Sequence, residues 1–104
     1  MNIEELIKQI IDDTYNKYKD YNDNKNLAEI IRNIQHEYYN VLEPYSKQID
    51  SLPNTKITEL IQYAASYSNL CKNKWIGREI WHGLDSFYEF MPLDKYYSLL
   101  KILL

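Results

Sequence analysis

Glycine, proline, cysteine and histidine are all scarce in this chain: two, three, one and two among 104 residues. Each scarcity excludes something. A β-sandwich needs a turn signal about every eight to twelve residues, and so few glycines and prolines cannot supply them. Strand-type alternation is also missing over any useful window. The single cysteine, Cys71, leaves no internal disulfide for the fold to rely on. Two histidines and one cysteine are a poor stock for a convergent catalytic site, so an enzyme is the least expected class, and no catalytic residue, cofactor site or metal site is assigned. No apolar run approaches the roughly 20 residues that span a bilayer, so no membrane partner is expected. The N-terminus, MNIEELIKQI, has neither the basic start nor the apolar core of a signal peptide, and the expected location is the cytoplasm.

What the chain has in quantity is tyrosine, eleven in all, on a background of apolar residues at helical spacing from end to end. Hydrophobic residues at 45% and charged residues at 26% describe an ordinary soluble globular chain. The length is that of one domain, residues 1–104. The expected fold is therefore all-α, a single compact bundle of four to five helices. Ile3, Leu6, Ile7, Ile10, Ile11, Tyr15 and Tyr18 predict a first helix to about Tyr21, with Asn2 as N-cap and Glu4 and Glu5 in the dipole-favoured first turn. Asn22 to Asn26 reads as a loop, and Asn26 as the next cap. Leu27, Ile30, Ile31, Ile34, Tyr38, Val41 and Leu42 make the second stripe, which Pro44 ends. Tyr45, Ile49 and Leu52 suit a short helical turn. Thr55 is the expected cap of a third helix through Ile57, Leu60, Ile61 and Ala64 towards Cys71. Asn73 is the expected cap of a fourth, with Trp75, Ile76, Ile80, Trp81, Leu84, Phe87 and Tyr88, although Gly77 and Gly83 lie inside it at about 1 kcal/mol each against Ala. After Pro92, Leu93, Tyr96, Tyr97, Leu100, Leu103 and Leu104 predict a last short helix.

Charge is unevenly distributed. Residues 1–50 carry ten acids and six bases, and residues 51–104 five acids and six bases. An acidic first half does not attract a phosphate backbone, so direct nucleic-acid binding is not expected. It suits a basic protein partner, or it is simply a solvated helix face. Asp12, Asp13, Asp20 and Asp23 are the candidate partner-binding acids, and Tyr21, Tyr39 and Tyr45 the candidate partner-binding aromatics. Tyrosine offers large contact area at little rotamer cost and is enriched in binding hot spots. Tyr15, Tyr18, Tyr38 and Tyr67 fall on or beside the apolar stripes and read as core or boundary. The competing explanation for so much tyrosine is AT-rich coding sequence, which also yields Asn, Ile and Lys and fits a low-GC bacterium, a phage or a mobile element.

Three further constellations have mundane readings. Glu79, His82 and Asp85 are three apart on one helix, half of a carboxylate-bundle metal set without the other half. Cys71 has no elbow or helix N-terminus to activate it. Lys72, Lys74 and Arg78 beside Trp75 and Trp81 form the only basic-aromatic cluster, which reads either as nucleic-acid stacking or as charge compensation at the C-terminus of the third helix.

An acidic, Tyr- and Asn-rich helical bundle without a catalytic set resembles in type the immunity proteins of bacterial toxins, those of contact-dependent inhibition and bacteriocin systems. The segment Trp75-Ile76-Gly77-Arg78-Glu79-Ile80-Trp81-His82-Gly83-Leu84-Asp85-Ser86-Phe87 is loosely similar to a helix of some helical nuclease-immunity families. The resemblance implies a cytoplasmic, non-enzymatic inhibitor that occludes a basic toxin domain with acids and aromatics. It transfers no site residues. Two other readings stay open: a phage or mobile-element anti-defence regulator that binds a nucleoprotein, and a structural homodimer paired through the Tyr96-to-Leu104 stripe.

Overall fold

Residues 2–84 are described by the computed structural model, and over them the chain is all-α. Helix α1 covers Ile3–Tyr18, α2 Leu27–Leu42, α3 Ser46–Asp50, α4 Asn54–Ser66 and α5 Lys74–His82. Tight 3₁₀ turns at Asn24–Asn26, Glu43–Tyr45 and Ser68–Leu70 join them. No strand occurs among the described residues. The expected helix after Pro92 lies outside them, as do Asp85, Phe87, Tyr88, Tyr96 and Tyr97.

Several boundaries follow from local chemistry. The Asn2 side chain accepts from the Glu5 N–H at 2.8 Å, as the cap reading requires. Helix α1 stops at Tyr18, short of Tyr21, where the chain turns through a Tyr21 N–H to Tyr18 carbonyl bond. Asn26 stands at the start of α2 but makes no side-chain cap bond; Asp23 instead caps the preceding turn by accepting from the Lys25 N–H. Pro44 forces the tight turn between α2 and α3. The third long helix begins at Asn54 rather than after Thr55. The Pro53 carbonyl takes the Lys56 and Ile57 N–H groups, and Thr58 bonds back to the Asn54 carbonyl. That helix ends at Ser66, so Lys72 and Lys74 do not neutralise its C-terminus; Lys74 opens α5.

The stripes meet in one core of Ile7, Ile11, Ile30, Ile34, Tyr38, Leu42, Ile49, Ile57, Leu60, Ile76 and Ile80 with their neighbours. Each fully buried Ile or Leu contributes roughly 1.5–3 kcal/mol. Helix α5 packs against α1, α2 and α4, and three contacts fix its seat. Gly77 lies so close to the Ser68 backbone that a Cβ would sit 2.1 Å from the Ser68 carbonyl oxygen. The buried Tyr38 phenol donates to the Ile80 carbonyl at 2.6 Å. The Glu79 carboxylate, 8% exposed, accepts from Gln35 at 2.9 Å. The glycine that weakens a helix in isolation is thus the residue that lets α5 approach its neighbour.

Candidate functional site

Two features far apart in sequence converge at one end of α5. The first is the turn after α1, with Asp20, Tyr21, Asn22, Asp23 and Asn24. The second is the basic-aromatic start of α5, with Lys72, Asn73, Lys74 and Trp75. A backbone bond from the Lys72 N–H to the Lys19 carbonyl, 2.9 Å long, ties the two segments. Asn73, 5% exposed, is the rivet between them. Its carboxamide oxygen accepts from Trp75 N–H at 2.9 Å and Ile76 N–H at 3.3 Å, capping α5, while its nitrogen donates to the Asn24 side-chain oxygen at 3.0 Å. Between the segments lies a shallow open cleft of about 270 Å³ lined by Asn22, Asn24, Lys72, Asn73, Lys74 and Trp75.

Trp75 is set on the apolar stripe by sequence, but the residue is 47% exposed on the rim of this cleft, with the Lys74 ammonium 5.3 Å from the ring centroid. Ile76 and Ile80 face the core in its place. Lys72 pairs with Asp20 at 3.7 Å, and both side chains are largely in solvent, so the pair is weak.

The candidate acids have different surroundings. Asp12 is half-buried and turned towards α4, where its Oδ1 accepts from Tyr63 at 2.6 Å and Tyr67 at 2.7 Å. The hydrogen bond to that carboxylate is the main reason the Tyr63 phenol is pushed well above the usual range, with Tyr67 reinforcing it. For Tyr67 the bond with Tyr63 pulls the other way, yet Asp12 and burial leave its value raised as well. Tyr15 stacks on Tyr67 with centroids 4.3 Å apart, completing a cluster that braces α1 against α4. Asp13 is exposed and accepts from Gln9 at 2.8 Å. Asp20 and Asp23 are exposed beside the cleft. Of the aromatics, Tyr21 is half-buried against the core, while Tyr39 is 42% and Tyr45 39% exposed. Tyr15 and Tyr67 are half-buried and Tyr18 and Tyr38 buried, as their positions on the stripes imply.

The Cys71 thiol is half-buried and donates weakly to the Tyr67 carbonyl at 3.7 Å; burial pushes its pKa up, away from nucleophilic use. Among the described residues, no three His, Cys, Asp or Glu side chains are grouped to hold a metal ion, and no helix is long and apolar enough to cross a membrane. Sequence spacing places Trp75, Lys72 and Lys74 together but gives no sign of the turn that faces them. Nor does it give a sign of the Asp12 cluster, whose partners lie 51 and 55 residues away.

The site is therefore a mixed, partly aromatic surface on an all-α scaffold. No protein-family model matches the chain, and neither the curated proteins nor the solved structures contain a significant match to it.

Proposed function

We propose that this chain is a non-catalytic binding protein whose partner is a basic protein surface, most concretely an immunity protein that occludes a toxin domain. The observation that carries the reading is the exposure of several aromatic and acidic side chains. Trp75, Tyr39 and Tyr45 are 47%, 42% and 39% exposed, and Asp13, Asp20 and Asp23 stand in solvent on the same half of the chain as the two tyrosines. Exposed Trp and Tyr cost solubility and are enriched where binding energy concentrates. Each of the three acids has one local partner through a carboxylate oxygen, which leaves further acceptor sites for a cation. Occlusion needs no chemistry from the inhibitor. It needs a rigid scaffold, which the Asn73 rivet and the seat of α5 supply, and charge that steers the encounter. Asp12 belongs to the scaffold by its two tyrosine bonds.

Affinity capture from the native host lysate, washed at low and at high salt, tests this reading. One stoichiometric basic protein, released by salt and inhibited by the chain when the two are mixed, is the expected result. A clean dimer on sizing with no retained protein at either salt contradicts it.

A further inference from the structure

We propose that the cleft between the α1–α2 turn and the start of α5 is a nucleotide site, in which an aromatic base stacks on Trp75 and the phosphate is held by Lys72 and Lys74. It shares Trp75 and the Asp20–Lys72 pair with the surface proposed for a protein partner, so the two ligands would compete there.

Four observations support it. First, two cations line the cleft of a chain whose net charge is −3: its lining is two ammonium groups, three carboxamides and an indole, with the Asp20 carboxylate at its edge 3.7 Å from Lys72. Second, that positive charge sits where it is least comfortable. Lys74 is the first residue of α5 and Lys72 lies just before it, at the helix end where the macrodipole disfavours cations. Concentrating cations there is a local cost that a bound anion would relieve. The Trp75 and Ile76 N–H groups at the start of α5 are already taken by Asn73, so recognition falls mainly to the side chains. Third, a π-face is presented beside the charge: Trp75 is 47% exposed, and stacking on an exposed aromatic accepts any base. Fourth, the cleft walls are held in place. Asn73 is bonded to both segments, and the Lys72 backbone is pinned to Lys19. The Lys72 side chain must release its long, solvated pair with Asp20, and Lys74, whose ammonium lies 5.3 Å from the Trp75 ring centroid, must leave the ring open to the base. At about 270 Å³ the cleft is just under the usual range for ligand pockets.

The test is an NMR titration of the full chain with adenosine monophosphate, alongside adenosine and inorganic phosphate as separate probes. The expected result is a saturable shift of the Trp75 indole N–H together with the Asn22, Lys72 and Asn73 resonances, tighter for the monophosphate than for either fragment. Trp75→Ala should weaken binding by about tenfold. Lys72→Ala with Lys74→Ala should weaken it and remove most of its salt dependence. These side chains are exposed, and circular dichroism of each variant confirms that it folds. A short single-stranded oligonucleotide in the same titration separates the sources: tighter binding at the same residues assigns the phosphate to a nucleic-acid end, equal or weaker binding to a free nucleotide. Absence of a saturable shift at the cleft, or unchanged affinity in Trp75→Ala, overturns the proposal.

Discussion

Single side chains show how this molecule uses its many phenols. Tyr38 is fully buried, and its hydroxyl is satisfied by the Ile80 carbonyl, so one residue fills the core and fastens α2 to α5. Burial pushes its pKa above the usual tyrosine range, against an opposing effect of the neighbouring Thr14 hydroxyl. That hydroxyl is itself buried and makes no hydrogen bond of normal geometry. Tyr38→Phe should cost about 1–3 kcal/mol, because it strips a buried acceptor of its donor, and urea denaturation measures the loss. Tyr63 and Tyr67 act at the surface in the same sense, their protons held by Asp12. The folded-state pKa values of Tyr38, Tyr63 and Tyr67 all lie above that of the unfolded chain, near 10. The unfolded state therefore loses these protons first as pH rises. Their contribution is complete below about pH 10 and is lost on going up through the folded-state values. Stability should decline from about pH 10 upward, and Tyr63→Phe should make that decline shallower. An unchanged alkaline profile in the variant would show that Asp12 does not hold the proton.

At the scale of the helices, α5 decides the arrangement. Gly77→Ala would gain roughly 1 kcal/mol of helix propensity in a free helix. Here the added methyl meets the backbone of Ser68, which cannot rotate away. The expected outcome is a net loss of about 1–3 kcal/mol or more, seen as a lower denaturation midpoint at unchanged slope. Helix identity was legible in sequence wherever periodicity and caps agree. Asn2 and Asn73 cap as expected, and Ile30, Ile34, Tyr38 and Leu42 line one buried face. Ends were less legible. Thr55 looks like a cap, but Pro53 and Asn54 before it already have suitable backbone, and the helix starts there. Trp75 fits the apolar stripe by spacing, yet Ile76 takes the inward position and the indole goes to solvent. The role of Gly77 was invisible, because a close approach is a property of two segments and not of one.

Over the molecule as a whole, charge, scaffold and exposed aromatics form one account. The acidic bias of the first half was plain from composition, but which acids are free to act was not. Asp12 points into a tyrosine cluster on α4, whereas Asp13, Asp20 and Asp23 remain in solvent. The candidate site was legible only in pieces, since the turn after α1 and the start of α5 are brought together by Asn73 and by one backbone bond. A binding role through the solvent-facing acids has a direct consequence. The measurement that tests it most directly is the affinity of the captured partner for Asp13→Lys combined with Asp20→Lys, against the parent chain, at low and high salt. The account predicts binding at least about tenfold weaker at low salt, with the difference shrinking as salt screens the charges. Equal affinity at low salt would contradict it and move the binding surface elsewhere on the bundle.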